Sequence, residues 1–205
     1  MIRSQAGGAC GPVKIAGPIV AGGIILALGA TIHTFDIELA DTDRGVYQTL
    51  NLRVAQHPSE TSDYLLTRVL AYCLEYSEGI AFSKGLSDPD EPAISVRDLT
   101  GALQAWVDIG LPEPERLHRA SKAAPRVAVY THKDPAQWIV KLAGAKIYRA
   151  EKLEVFAFAR AWLAQFVARL ERRMRFSLAR AEGEIYLTVG DETSQTQFAR
   201  PWARY

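Results

Sequence analysis

The sequence predicts an α/β protein, a mixed sheet flanked by helices on both faces. Three observations predict it. Apolar residues alternate with a period of two in VYQTLNLRV (46–54) and ALQAWVDIG (102–110), the signature of half-buried strands. They recur at helical spacing in Leu66, Val69, Leu70, Cys73 and Leu74, and again in Trp162, Phe166, Val167 and Leu170. Strand and helix patterns then interleave along the chain with several hairpin turns, which fits a mixed sheet better than a bundle or an all-β sandwich.

Taken in order, residues 30–40 and 46–54 read as paired strands around the turn formers DTDRG (41–45). HPSET (57–61) opens a helix that Gly79 ends, and IAFSKG (80–85) reads as a short strand. After the acidic loop SDPDEP (87–92), residues 93–98 and 102–110 form a strand pair with Gly101 near the turn. PEPERLHRASKAA (112–124) reads as a helix: Pro112 is tolerated near its start, and Glu113 and Glu115 complement its positive end. RVAVYTH (126–132) suits a buried central strand. A helix over 134–144, one or two short strands over 146–158 and a helix over 159–171 follow. RMRFSLAR (173–180) and EIYLTV (184–189) flank Glu182-Gly183, a strong hairpin signal.

The 205 residues suit a single domain over 29–205, preceded by a poorly ordered extension over 1–28. That extension holds the uncharged stretch IAGPIVAGGIILALGATI (15–32), which has the look of an export signal, but its glycines and Pro18 make it a poor helix. The expected location is the cytoplasm, with export as the alternative, and no membrane association is expected. A formal net charge of +1 gives no global steering toward polyanions, so any nucleic-acid contact must come from a local patch. The two cysteines form no disulfide framework, and the four histidines are scattered rather than set at zinc spacing. P-loop, GxGxxG and GxSxG motifs are absent from the sequence.

The chemistry concentrates in RDLTGALQAWVDIG (97–110). By strand parity Asp108 points with Gln104 and Trp106, away from Leu103, Ala105, Val107 and Ile109. Asp98 opens the preceding turn, and the two carboxylates are expected to converge at one end of the hairpin. Two such acids suit Mg²⁺ (or Mn²⁺), which takes hard oxygen ligands and can polarise a phosphodiester. Asp98-Leu-Thr-Gly is equally a plain turn sequence.

HPSE (57–60), RDLTG (97–101) and WVDIGLP (106–112) resemble the YaeQ family of bacterial proteins, a resemblance that runs from about Gly29 to the C-terminus. It implies a variant of the PD-(D/E)xK, restriction-endonuclease-like nuclease superfamily, whose αβββαβ core has the same order as the elements expected over 58–132. An N-terminal strand pair and a C-terminal hairpin would be additions to that core. Carried over by motif, Asp98 resembles the first acid and Asp108 the acid of (D/E)xK, as metal ligands. Glu60 resembles the acid of the first core helix. The motif lysine falls at Gly110, so Lys122 or Arg119 on the following helix is expected to supply the positive charge. The resemblance implies Mg²⁺-dependent phosphodiester hydrolysis of nucleic acid. The missing lysine leaves a catalytically inactive fold, a binding or regulatory module, as the alternative, and the oligomeric state is open.

Overall fold

The computed structural model describes residues 29–83 and 90–202, so the expectation for 1–28 and the end of the 80–85 strand lie outside the described residues. The chain folds as a mixed α/β protein with two sheets, where one was expected. The elements are β1 (Thr31–Asp41), β2 (Val46–Gln56), α1 (Ser62–Leu74), β3 (Ile80–Phe82), β4 (Ile94–Arg97), β5 (Leu103–Ile109), α2 (Pro114–Ala123), β6 (Arg126–Thr131), α3 (Ala136–Ala143), β7 (Leu153–Ala157), α4 (Arg160–Val167), β8 (Arg173–Ala181), β9 (Glu184–Val189) and β10 (Glu192–Gln197). The first sheet has the order β10-β9-β8-β1-β2 and the second β3-β4-β5-β6-β7.

The split follows from β8. It does not extend the strands before it but returns to lie parallel to β1, with Phe35 opposite Met174 and Ile37 opposite Phe176. That pairing joins the N-terminal hairpin to the C-terminal one, which turns at Glu182 and Gly183 with positive φ at both residues, the geometry that favours glycine in a two-residue hairpin. β10 was not expected. Its sequence ETSQTQ has no apolar alternation, and its pairing with β9 over six residues holds it in the sheet.

Two cores separate the layers. One joins the inner face of the first sheet (Phe35, Ile37, Phe176, Leu178), α1 (Leu66, Val69, Leu70), α4 (Trp162, Phe166) and one face of the second sheet (Ile94, Val107, Tyr130). The other lies between the opposite face (Trp106, Val127, Val129, Val155) and α2 and α3 through Leu117, Trp138 and Leu142. β5 is therefore buried on both faces, which turns Asp108 from a solvent-side residue into a buried one, 2% exposed.

In the second sheet β5, β6 and β7 run parallel, connected by α2 and α3 as βαβ units. Their carboxyl ends open on one side, where the starts of α1, α3 and α4 also gather. Among the described residues no helix is long and apolar enough to cross a membrane.

Candidate functional site

The expected acid pair does not meet. β4 and β5 are antiparallel, with Ile94 opposite Val107 and Arg97 opposite Leu103. Asp98 follows Arg97 and its N–H donates to Ala102 O (3.0 Å), so it sits at the start of β5 while Asp108 sits near its end. The six residues from 102 to 108 span about 20 Å of strand. A magnesium ion holds its oxygens at about 2.1 Å, so these two acids cannot share one. Asp98 closes a turn instead. Its Oδ1 accepts from Thr100 N–H (2.9 Å), Thr100 Oγ1 (2.6 Å) and Ala102 N–H (3.0 Å), and its Oδ2 accepts from Gln104 Nε2 (2.6 Å). The Thr100 hydroxyl, then the backbone donors, hold its carboxyl below the usual range.

Asp108 is closed by Arg116, on the same helix as the expected Arg119 and Lys122. Arg116 Nε donates to Oδ2 (2.7 Å) and Nη2 to Oδ1 (2.8 Å), the fork geometry of a guanidinium on a carboxylate. The same guanidinium lies over the Trp106 ring, 5.4 Å from its centroid, and donates to Glu91 O (2.6 Å). Arg119 and Lys122 are exposed on α2. Lys122 lies six residues beyond Arg116, about 9 Å along the helix axis and toward the amino end of the sheet. Neither reaches the space by Gly110. The rotation of α2 sorts these three cations: Leu117 and Ala120 face the core, which turns Arg116 toward β5 and Arg119 and Lys122 outward.

Gly110 has φ +92°, a conformation that L side chains rarely adopt, and an added Cβ would meet Tyr64 Cε2 at 4.0 Å. A lysine at this position would thus be strained, and the aromatic ring of Tyr64 stands beside it.

Glu60 is buried just before α1. Its Oε2 accepts from His57 N–H (3.1 Å) and Arg68 Nη2 (3.1 Å), and that Nη2 is 3.0 Å from Oε1. Burial pushes its carboxyl above the usual range, against the pull of Arg68. His57 works as a local cap, its Nδ1 accepting from Ser59 N–H (3.2 Å).

Beside Glu60 a cleft of about 650 Å³ opens at the carboxyl ends of the parallel strands, lined among others by Tyr64, His132, Lys133 and Arg160. Crevices at this end of open α/β sheets are where ligands bind. Three helix starts face it: α1, capped by Thr61 Oγ1 accepting from Tyr64 N–H (3.2 Å); α3, whose Ala136 N–H is capped by Asp134 Oδ1 (2.9 Å); and α4, which begins at Arg160. Each presents a partial positive charge. Lys133 and Arg160 have no carboxylate partner among the described residues. His132 stacks edge-on to Tyr64 (6.3 Å), and its buried Nδ1 has no hydrogen-bond partner among the described residues. Burial, then Lys133, pushes its pKa below the usual value. Tyr64 sits between the ion pairs: burial raises its hydroxyl pKa, and Glu60, Arg68, Asp108 and Arg116 all act on it. The acids Asp63 and Asp134 also line the cleft. Sequence reading missed Tyr64, His132, Lys133 and Arg160. The available signal was position, since His132 and Lys133 lie within two residues of the end of β6 and Arg160 three residues after the end of β7.

The family model described as YaeQ protein matches residues 26–198. The chain belongs to the YaeQ family. It is 30% identical over 164 residues to the Escherichia coli K12 protein described as uncharacterized protein YaeQ, covering 80% of this chain and 91% of that one. The Salmonella typhi YaeQ protein matches with the same identity and coverage. Crystal structures of YaeQ proteins from Xanthomonas axonopodis pv. citri and Pseudomonas syringae superpose with TM-scores of 0.77 and 0.76 at 30% and 27% identity. Each covers 85% of this chain, with 99% and 97% of the respective structures matched. The two-sheet architecture is therefore that of the YaeQ family.

Proposed function

We propose that this YaeQ-family protein binds the phosphodiester backbone of a nucleic acid in the cleft at the carboxyl ends of β5–β7, without metal-dependent cleavage. The observation that carries the reading is the gathering of Lys133, Arg160 and three helix starts in one open cleft, where neither cation is in an ion pair among the described residues although Asp63 and Asp134 share the lining. Phosphate oxygens are the natural complement of such donors. Glu60 and Asp108 each already hold a guanidinium, so a divalent ion would have to displace Arg68 or Arg116. The acid set thus fits Mg²⁺ poorly, and no step is derived through it. On this reading the order α1-β3-β4-β5-α2-β6 is a restriction-endonuclease-like core put to binding. Lys133 and Arg160 hold phosphates, Tyr64 offers a ring and a hydroxyl, and His132 donates from one ring nitrogen when neutral and from both when protonated.

A second reading, a Mg²⁺-dependent phosphodiester hydrolase, draws on the position of Tyr64, which lines the cleft with Glu60 and stands 4.0 Å from where a Cβ on Gly110, two residues past Asp108, would lie. In it Asp108 with Glu60, rather than Asp98, would hold the ion.

The test is fluorescence anisotropy with labelled single- and double-stranded DNA and RNA in EDTA. Wild type is expected to bind with a steep salt dependence. Lys133→Ala and Arg160→Ala are each expected to weaken binding about tenfold and to lower the salt slope by about 1. Unchanged affinity in the double variant would refute the assignment.

A further inference from the structure

Among the described residues the two sheets have four edge strands, β10 and β2 in the first and β3 and β7 in the second. β3 has three residues, and β7 is partly covered by a bridge in which Ala157 and Ala199 exchange N–H···O bonds of 2.9 and 3.2 Å. β10 has six residues and carries Glu192. β2 is different. Its eleven residues pair with β1 in unbroken register, without a bulge. It contains no proline and no lysine, and Arg53 is its one charged residue. Sheet edges are normally blunted by such devices, because an open edge is a template for another strand.

The hydrogen-bond parity fixes what β2 presents. Thr34 N–H donates to Arg172 O (2.8 Å) and Thr42 N–H to Arg180 O (2.9 Å), so the even-numbered residues of β1 turn their main chain toward β8. The odd-numbered ones turn toward β2, where the register sets His33 against Val54, Phe35 against Leu52 and Ile37 against Leu50. The even residues of β2 are thereby satisfied. Tyr47, Thr49, Asn51, Arg53 and Ala55 direct N–H and C=O to the open side. Ala55 confirms the parity: its carbonyl accepts from Arg68 Nη2 (2.9 Å), a bond made from outside the β1–β2 ladder. Tyr47, Thr49, Asn51 and Arg53 remain, all exposed.

We propose that this edge is a homodimer interface, in which two copies pair β2 antiparallel about a two-fold axis at Leu50 and join their first sheets into one. This register uses the four open residues and leaves Ala55 to Arg68. Tyr47 pairs with Arg53 of the partner subunit and Thr49 with Asn51 of the partner subunit, giving about eight main-chain hydrogen bonds. Tyr47, 62% exposed in the single chain, gains a guanidinium over or beside its ring. On the inner face Leu50 meets its own copy and Gln48 meets Leu52 of the partner subunit. No like charges oppose one another, since Arg53 is the strand's only charge and faces a tyrosine. The interface is isologous, as a closed two-fold dimer requires.

Sedimentation velocity at micromolar concentrations tests it. Wild type is expected to sediment at twice the chain mass. Asn51→Pro removes an N–H that faces only the open side and should give a monomer with unchanged circular dichroism. Asn51→Lys keeps every main-chain donor, adds an edge charge and should also give a monomer, which guards against a proline that disturbs folding. In a Cys10→Ser background, Leu50→Cys should form an intermolecular disulfide on mild oxidation, because residue 50 faces itself. A monomeric wild type overturns the proposal, as does a dimer that survives both Asn51 variants. Failure of the disulfide in a chain that still dimerises overturns the register.

Discussion

At the amino ends of β5–β7, Arg126 is shared between Glu75 and Glu154, with bonds of 3.0 Å from Nη2 to Glu75 and 2.7 Å to Glu154, and the Tyr130 hydroxyl adds 2.7 Å to the same Glu75. At the carboxyl ends, Lys133 and Arg160 line an open cleft with no acid partner among the described residues. The same residue types do different work. Where every donor of a guanidinium already meets a carboxylate and the acid is buried, the charge is part of the core. Where cations border helix starts and strand ends without an ion pair, their donors stay available to a ligand.

The largest expected effect breaks the amino-end network. Arg126→Ala leaves the buried Glu75, 7% exposed, with only the Tyr130 hydroxyl and should cost roughly 3 kcal/mol of stability by urea unfolding, the low end for a broken buried pair because the Arg126 side chain is itself 36% exposed. Oligonucleotide affinity should not change; a loss of affinity in a folded protein would erase the contrast between the two ends. Asp108→Asn keeps the shape of the carboxyl-end pair but removes the charge that holds Arg116. It should cost roughly 2 kcal/mol, less than the full penalty because Arg116 is partly exposed to solvent. A double-mutant cycle with Arg116→Gln should show strong coupling, and additive losses would mean that the pair contributes little.

Proton uptake separates the two ends further. The folded-state pKa of His132 lies below its ordinary 6.5, by burial first and Lys133 second. Its contribution to stability is therefore present above about 6.5 and is lost as pH falls toward the folded value. A bound phosphate favours the protonated ring, so affinity should rise as pH falls from about 7 to below 6. His132→Gln should flatten that rise, and an unchanged pH profile in the variant would remove His132 from the site. The smallest effect belongs to Asp98→Asn. An exposed turn acid at the far end of β5 should leave affinity unchanged, and a clear loss would return Asp98 to the site.

Local patterns carried the element order well. The alternation in 46–54 and 102–110, the helical stripes and Glu182-Gly183 all mark elements that the structure contains. Contacts between distant segments were invisible: the parallel pairing of β1 with β8, which divides the strands into two sheets, leaves no local mark. Glu60 was legible as an acid at a helix start, but not its burial against Arg68. Asp108 was legible as an acid, but not its burial on a strand covered on both faces. Asp98 misled because a short spacing in sequence was read as closeness in space, whereas an antiparallel pair places residues on either side of its turn at the same end and sends Asp108 to the other. Arg116 could not be told from Arg119 by spacing alone, because the rotation of α2 is set by Leu117 and Ala120 against the sheet.

The central claim is that the carboxyl-end cleft binds nucleic acid without a metal ion. Anisotropy of a labelled oligonucleotide titrated with wild-type protein, once in EDTA and once in Mg²⁺ at matched ionic strength, tests it directly. The account predicts equal affinities and an intact oligonucleotide in both. Binding or cleavage that appears only with Mg²⁺ and is abolished by Asp108→Ala would contradict it.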